Sequence, residues 1–334
     1  MIFVIGNSRS GTTLMGRLLG AHPAVHTFEE LHVFEGLIAT SDVLAGKTLH
    51  PSAARRFVAR VLTSARSNIF TPVVEREIAD EVTTILAHAG PSPDAVTLYK
   101  RVLAHETQRA GKRIACEQTP RYLFSARELA LAFLGARFIN MIRDPRDVLL
   151  SQKHKWQTYR HGTWDMPRRE AARAWANYHP ITTSRIWASS IRYARRLDPK
   201  HVLHLRFEDL ITAPHQTLDR VHAFLGLDPV PLPAPVVDIG SSLANDAEQR
   251  SGFNTDAVGR WRRGGLSARE VAICETICAE GMAEWGYHIE ADTYARWRFA
   301  VDAPALIGKG LLSLGLNLGR NRHLLSALSR RLHG

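Results

Sequence analysis

A glycine-bracketed turn near the start of the chain constrains the fold more than any other feature. The first five residues form an apolar run, Gly6 and Gly11 follow at a spacing of five, and the hydroxyl pair Thr12 and Thr13 opens a second apolar stretch. This order predicts a strand, a tight loop and a helix, with the glycine spacing of a loop that binds phosphate through backbone N–H groups. The helix start favours an anion further, because its free N–H groups and its dipole face the loop.

The residue after the second glycine narrows the choice of ligand. In loops that bind ATP or GTP, a lysine stands there and reaches the β- and γ-phosphates. Thr12 occupies this position instead. The loop can therefore hold a phosphate but lacks the point charge that a triphosphate needs, which favours a nucleotide whose reactive group lies at its 5′ end.

Short apolar segments rich in β-forming residues alternate with helical stretches along the chain. The predicted strands are residues 2–5, 113–116, 137–142 and 202–205, and the predicted helices are residues 12–21, 51–64, 73–88, 94–110, 122–133, 145–158, 168–196, 214–225 and 267–285. Strands that are separated by helices predict an α/β fold, with a P-loop-like parallel β-sheet flanked by helices.

The 334 residues are enough for one large domain with elaborations. We expect this domain to cover residues 1–300, with a helical insertion at about 35–110 and a polar surface flap at 241–256. Residues 301–334 form a separate basic tail, in which leucines at helical spacing predict an amphipathic helix. Such a helix docks on the body of the protein, on a membrane surface as a peripheral contact, or on a partner.

Charge and cysteine content limit the class of protein. The net charge is +11, and five basic residues between 303 and 334, where no acidic residue occurs, contribute part of it. Aromatic residues do not interleave with the basic clusters, so we expect no nucleic-acid partner. Three cysteines without regular spacing favour a reducing compartment. With no signal peptide before the first strand and no uncharged apolar stretch of about 18 residues, we expect no transmembrane segment and a cytoplasmic location.

Residues suited to ligand binding follow every predicted strand. They are Arg9 and Ser10 after the first, Glu117 and Gln118 after the second, Arg143 after the third, and Arg206 and Phe207 after the fourth. In open parallel sheets, ligands bind at the carboxyl ends of the strands. The pattern therefore predicts a site at one edge of the sheet.

A second phosphate-binding group is predicted after the third strand. Asp144 suits a helix N-cap and Pro145 the first helical position, so Arg143 lies at the end of the strand and Ser151 two turns into the helix. An arginine fork and a serine hydroxyl together suit a phosphate monoester. The alternative is that Arg143 pairs with Asp144 or Asp147.

The two phosphate sites together resemble those of the sulfotransferases that use 3′-phosphoadenosine 5′-phosphosulfate (PAPS). The resemblance covers about residues 1–30 and 113–290 and is carried by Arg9-Ser10-Gly11-Thr12-Thr13-Leu14-Met15, Ala21-His22-Pro23, Arg143-Asp144-Pro145-Arg146 with Ser151, Arg206-Phe207-Glu208-Asp209-Leu210 and Arg260-Trp261-Arg262. It implies that the first loop holds the 5′-phosphosulfate and that Arg143 and Ser151 hold the 3′-phosphate.

Among subgroups, the beginning of the chain is most similar to tyrosylprotein sulfotransferases. In that subgroup a Glu-Glu pair follows the Ala-His-Pro segment and its second glutamate is the catalytic base, which implies this role for Glu30. Two residues depart from the pattern: Gln118 stands where the subgroup has a lysine, and Phe207 where it has a tyrosine beside the nucleotide. The acceptor therefore stays open among small molecules, carbohydrates and peptide tyrosine.

The resemblance also implies how sulfuryl transfer runs. Arg9 and the N–H groups of residues 10–13 take the charge that grows on the departing 5′-phosphate, and the hydroxyls of Thr12 and Thr13 add hydrogen bonds. Glu30 accepts the proton of the acceptor hydroxyl, with His26 and His32 as rival bases. No metal-binding motif is present, and we expect no metal.

Several residues keep two interpretations. Lys155 either assists the 3′-phosphate or is a solvated lysine, and Phe207 either edges the adenine or belongs to the core. The insertion at 35–110 and residues 156–164 are expected to shape the acceptor pocket. Two other functional classes compete with the transferase, namely a P-loop kinase or NTPase and a non-catalytic nucleotide-binding protein.

Overall fold

A five-stranded parallel sheet organises the molecule. The computed structural model describes residues 1–34, 46–67, 71–161, 168–231 and 253–290 and five residues between 308 and 316, with side chains of 158–170 excluded. The strands are β1 (Ile2–Gly6), β2 (Val25–Phe28), β3 (Ile114–Gln118), β4 (Arg137–Ile142) and β5 (Val202–Arg206). They lie in the order β2-β3-β1-β4-β5, and every neighbouring pair is parallel. The α/β fold predicted from alternating strands and helices is confirmed.

Helices flank this sheet on both faces. In the described part they are α1 (Thr12–Gly20), α2 (Pro51–Arg66), α3 (Glu75–Ala89), α4 (Ala95–Arg109), α5 (Ala126–Ala132), α6 (Pro145–His161), α7 (Arg168–Asn177), α8 (Pro180–Ala194), α9 (Phe207–Thr212), α10 (Pro214–Leu225) and α11 (Ala268–Glu284). Short 3-10 helices cover Pro120–Ser125, Thr255–Ala257 and Arg260–Arg263. None of the described helices combines the length and the apolar composition needed to cross a bilayer.

Strand β2 is missing from the predicted strands. It is only four residues long, and half-buried His26 and Thr27 separate its buried ends, so it shows neither alternation nor an apolar run. Its position is given by pairing with β3 at the edge of the sheet. As a result Glu29 and Glu30, which follow β2, leave the sheet at the same edge as the other strand ends.

Two predicted helices differ from the structure. The single helix predicted over 168–196 is two helices, because Pro180 lacks an N–H and disfavours a helical residue before it. His179 accordingly has extended backbone angles, with φ −151° and ψ 135°, and its ring caps α8 by accepting from the N–H of Ile181. The helix predicted over 122–133 begins as the 3-10 turn at Pro120 and becomes α-helical only at Ala126.

The core lies on both faces of the sheet. The insertion helices α2 to α4 share one cluster of buried side chains with the sheet, in which Phe3 stacks on Phe138 at 5.1 Å between ring centroids. On the other face, Met15 and Leu19 of α1 pack with Val221 of α10. Each face of the central strands is thus covered, as a parallel sheet requires.

Parts of the predicted organisation lie outside the described residues. These are the flap up to residue 252, residues 35–45 of the insertion, residues 162–167 of the expected acceptor-pocket stretch, and the leucine-bearing part of the tail.

Two described tail residues contact α7. Arg173 donates to the carbonyl of Leu316 at 2.6 Å, and the Lys309 ammonium lies 4.5 Å from the ring centroid of Trp175.

A buried arginine joins the β4–α6 turn to α11. Arg146 is 1% exposed and donates to both carboxylate oxygens of Asp144, at 3.0 and 2.7 Å. It also donates to Glu275 of α11 at 2.6 Å and lies 4.0 Å from the ring centroid of Trp261. Sequence analysis identified Arg146 only as a member of a motif. The structure makes it the centre of a buried charge network.

Removing this charge should destabilise the protein strongly. Arg146→Gln leaves Asp144 and Glu275 as buried carboxylates without their cation, which is expected to cost about 3–5 kcal/mol of unfolding free energy. Urea denaturation followed by circular dichroism measures the loss. Arg195→Gln is the matched control, because Arg195 pairs with Glu280 and Glu284 of the same helix but at the surface, and it should change stability little. Equal losses in the two variants would contradict this account.

Candidate active site

The first loop has the backbone of an anion-binding turn. The N–H of Ser10 donates to the carbonyl of Asn7 at 3.2 Å, and both Arg9 and Gly11 have left-handed backbone angles, with φ of 74° and 87°. Gly11 caps α1 without a side chain, so the first N–H groups of the helix face the loop uncapped. A Cβ on Gly11 would lie 2.3 Å from the Phe207 ring, so only glycine fits here.

Two predicted binding residues carry buried polar atoms that have no hydrogen-bond partner within the described residues. They are Oγ of Ser10, a residue that is fully buried, and Nε of Arg143. Leaving a buried polar group unpaired costs about 1–3 kcal/mol, so such atoms in a native fold indicate a missing polar partner. Both lie at the carboxyl edge of the sheet, where a bound anion would satisfy them.

The two predicted phosphate sites are in direct contact. Arg9 Nε donates to Ser151 Oγ at 2.8 Å, and Arg143 Nη1 donates to the carbonyl oxygen of Arg9 at 3.2 Å. The loop after β1 and the turn after β4 therefore form one continuous site. Residues that are 142 positions apart in sequence, Arg9 and Ser151, meet because β1 and β4 are neighbours in the sheet.

The hydrogen bonds of Arg143 do not go to the nearby aspartates. Asp144 binds Arg146, and Asp147 accepts from the N–H groups of Gly259 and Trp261, both at 2.9 Å. Arg143 instead donates to the carbonyl of Ala257 at 2.6 Å. Burial lowers the pKa of Arg143, opposed by the charge of Asp147. A buried guanidinium that is bonded only to carbonyls still has capacity for an anion.

Phe207 and Gln118 pack against the first loop. Phe207 is buried, and its ring fills the space that a Cβ on Gly11 would need. The Arg143 guanidinium lies 4.3 Å from the centroid of this ring. Gln118 Nε2 donates to Thr12 Oγ1 at 3.2 Å. Where the resembling subgroup has a lysine, this chain thus places a neutral amide against the loop threonine. Thr13 is half-buried beside it.

Glu30 lies in a paired and cationic setting. Its Oε2 is 2.8 Å from His32 Nε2, and its side chain is 44% exposed. Burial acts to raise the pKa of Glu30, but the hydrogen bond and charge of His32 and the charges of Lys155 and Arg121 outweigh it and lower the pKa to about 2. The carboxylate is therefore ionised at neutral pH. Lys155 is near enough to act on Glu30, and its role toward a 3′-phosphate stays a prediction.

The two rival histidines have different surroundings. The His26 ring packs edge-on against Phe28 at 4.6 Å. Burial lowers the pKa of His26, the charge of Glu106 at the end of α4 opposes this shift, and the charge of Arg109 adds to it. That end leads into the start of β3, away from the carboxyl edge. His32 alone of the two contacts Glu30. The sequence could not distinguish them, because the distinction depends on the unpredicted strand β2.

One cluster of possible metal ligands occurs in the described part of the chain, away from this edge. It consists of Glu81, His105 and Glu106 in the insertion helices. Arg66 binds the carboxylates of both Glu81 and Glu106. The cluster is therefore a charge network between α2, α3 and α4 whose cation is already an arginine.

Comparisons with known proteins agree with this geometry. A family model described as "Sulfotransferase family" matches residues 2–231. The nodulation protein NoeE of Sinorhizobium fredii is 26% identical over 237 residues, which are 68% of this chain and 50% of NoeE. The chain thus spans about half the length of this curated relative.

One solved structure shows the same fold, and a second gives a lower TM-score. The sulfotransferase domain from the curacin biosynthetic pathway superposes with a TM-score of 0.51 at 15% identity, over 87% of this chain and 98% of that domain. The sulfotransferase domain of the Synechococcus PCC 7002 olefin synthase gives a TM-score of 0.48 at 19% identity, over 87% and 95% of the two chains. The family match covers more than half of the chain and includes the first loop, Glu30, Arg143 and Ser151. The chain belongs to the sulfotransferase family and is an enzyme of that class.

Proposed function

We propose that this enzyme transfers the sulfuryl group of PAPS to a hydroxyl acceptor, with Glu30 as the general base. The observation that supports it best is the contact between the two predicted phosphate sites through Arg9, Ser151 and Arg143. Two anion-binding groups at one sheet edge suit a nucleotide that carries phosphate at both its 3′ and 5′ positions.

In this proposal the first loop holds the 5′-phosphosulfate. The N–H groups of residues 10–13 and the buried Ser10 hydroxyl donate to it, and Gln118 fixes Thr12 for the same purpose. Arg143 and Ser151 bind the 3′-phosphate, and Phe207 lies against the nucleoside. A bound 3′-phosphate competes for the Ser151 hydroxyl, which leaves the Arg9 guanidinium available to the bridging oxygen of the donor.

The reaction then needs an in-line acceptor, a proton acceptor and stabilised charge. The acceptor oxygen forms a bond to sulfur while the bond between sulfur and the 5′-phosphate oxygen breaks, and the acceptor proton passes to Glu30. The leaving group is 3′,5′-adenosine bisphosphate, whose new negative charge Arg9 and the helix N-terminus stabilise. These groups supply the electrostatic stabilisation without a metal.

The acceptor is proposed only as a hydroxyl compound. Small molecules, carbohydrates and peptide tyrosine all remain within the proposal, and a tyrosine acceptor is weakened by Gln118 and Phe207, which depart from the tyrosylprotein pattern. Cys116, Cys274 and Cys278 are buried free thiols, which supports a reducing compartment such as the cytoplasm.

The alternatives differ in their ligands. A kinase or NTPase would prefer ATP with Mg²⁺, which Thr12 at the lysine position disfavours. A non-catalytic nucleotide-binding protein would tolerate loss of Glu30. Isothermal titration with 3′,5′-adenosine bisphosphate and with ATP separates the first two classes: tight bisphosphate binding without Mg²⁺ supports the transferase, and preference for ATP contradicts it.

Arg143→Ala should weaken binding of the bisphosphate by about 10²-fold or more, as expected for a lost charge-assisted hydrogen bond of about 3 kcal/mol. Titration calorimetry measures the Kd. Arg137→Ala is the control, because Arg137 begins the same strand at its opposite end and donates to the carbonyl of Lys200. Unchanged affinity in Arg143→Ala would remove the 3′-phosphate from this site.

Glu30→Gln should lower kcat by about 10²-fold or more, because the amide cannot accept the acceptor proton. The Kd for the bisphosphate should stay within about twofold, since the proposed phosphate ligands are unchanged. Transfer from radiolabelled donor to a panel of phenols and sugars gives kcat, and Glu29→Gln serves as the neighbouring exposed control. Full activity in Glu30→Gln would assign the base to another residue.

A further inference from the structure

The proposed chemistry gives no role to the buried carboxyl group of Glu117. Glu117 lies in β3, one residue before the end of the strand, and is 0% exposed. Three hydroxyl groups hydrogen-bond with its side chain: Tyr99 from α4, Thr119 at 2.8 Å, and Tyr122 from the following 3-10 helix. A buried carboxyl that engages this many donors is held in one orientation.

A short chain of contacts leads from Glu117 to the base. The hydroxyl of Tyr122 accepts the N–H of Phe34 at 3.3 Å. The Phe34 ring packs edge-on against Tyr122 and Tyr99, with ring centroids 5.3 and 5.1 Å away. Phe34 stands two residues after His32, which pairs with Glu30. The buried carboxyl is therefore linked to the segment that carries the candidate base.

That segment needs support, because its backbone is strained. His32 has φ of 50°, a left-handed conformation that residues with a Cβ rarely adopt. Such a conformation persists only where the surrounding structure holds it. The hydrogen bond from the Phe34 N–H to the Tyr122 hydroxyl and the contacts of the Phe34 ring hold this segment on its buried side.

We propose that Glu117 is a positioning residue for the Glu30–His32 pair. It fixes the turn through Tyr122, and when it is ionised its negative charge strengthens the pair as a proton acceptor. This inference rests on the proposed function, in which Glu30 takes the proton of the acceptor hydroxyl.

The charges around these groups support the second part of the proposal. Burial raises the pKa of Glu117 to about 7, opposed by its hydroxyl donors and by the charge of His32. Two other titratable neighbours stay neutral, because burial raises the pKa of Cys116 to about 12 and that of Tyr99 well above its usual value. The charge of His32 acts on both Glu117 and Glu30, and Lys155 and Arg121 act on Glu30 as well. Glu117 is thus a buried carboxyl that interacts with His32 and changes charge around neutral pH.

Tyr122→Phe tests the positioning through Tyr122, because it keeps the ring and removes only the hydroxyl. We expect kcat to fall about tenfold while the KM for the donor and the Kd for the bisphosphate stay within about twofold. Tyr178→Phe is the matched control, since the Tyr178 hydroxyl also donates to a glutamate, Glu270, outside this chain of contacts. Wild-type kcat in Tyr122→Phe, or an equal fall in both variants, would overturn the positioning role.

Glu117→Gln tests the charge, because glutamine mimics the protonated carboxyl. The ratio of its kcat/KM to that of the wild type should be near one at pH 5.5 and should fall at least about threefold by pH 8.5, where the wild-type group is ionised. A ratio that does not vary with pH would overturn the electrostatic role. Turnover and bisphosphate binding of the wild type are measured alongside and test the proposed function separately. If the wild type shows neither, both the proposed function and the role of Glu117 are overturned. If the wild type turns over and the variants match it, only the role of Glu117 is overturned.

Discussion

The buried Arg146 guanidinium holds the candidate site in shape. It bridges Asp144 in the turn after β4 and Glu275 in α11, so a segment near the middle of the chain and a helix near its end share one charge. Because a buried ion pair tolerates little loss of geometry, this contact determines the course of the turn. The backbone N–H of Asp144 is held as well, by Glu208 at 2.9 Å. Arg143, one residue earlier, is thereby directed to the loop after β1.

The site has two chemically different halves at one sheet edge. On one side, Arg143, Ser10 and the start of α1 offer hydrogen-bond donors with unused capacity, which is the character of an anion site. On the other, the ionised carboxylate of Glu30 pairs with His32 and is the proposed proton acceptor. Sulfuryl transfer needs both, because charge develops on the departing phosphate while the acceptor loses its proton. Lys155 and Arg121 lie near the boundary and act electrostatically on Glu30.

Sequence patterns predicted those parts whose physics is local. The strand, glycine turn and helix at the start are consecutive, and four of the five strands follow from short β-rich segments. Strand β2 was not predicted, because its four residues, with His26 and Thr27 at the centre, do not alternate between apolar and polar. It forms a strand because it pairs with β3. The break at Pro180 was overlooked because helical patterns continue on either side of it. His32 could be named only as a rival base equal to His26, because the course of the segment after β2 depends on that strand. Glu117 was expected only at the ligand edge of the sheet, because its partner Tyr99 comes from another helix.

From neighbouring residues alone, the sequence established that a strand, a glycine turn and a helix open an α/β sheet, and it predicted a phosphate-binding loop in which Thr12 disfavours triphosphate chemistry. These conclusions depend on neighbouring residues and on side-chain identity, which are local properties. Two further facts come from the folded chain: Arg143 bonds to the loop instead of to Asp144 or Asp147, and His32 rather than His26 pairs with Glu30. Those outcomes depend on which partners are within hydrogen-bond distance once the chain has folded. Competition among several charged neighbours cannot be read from their order along the chain.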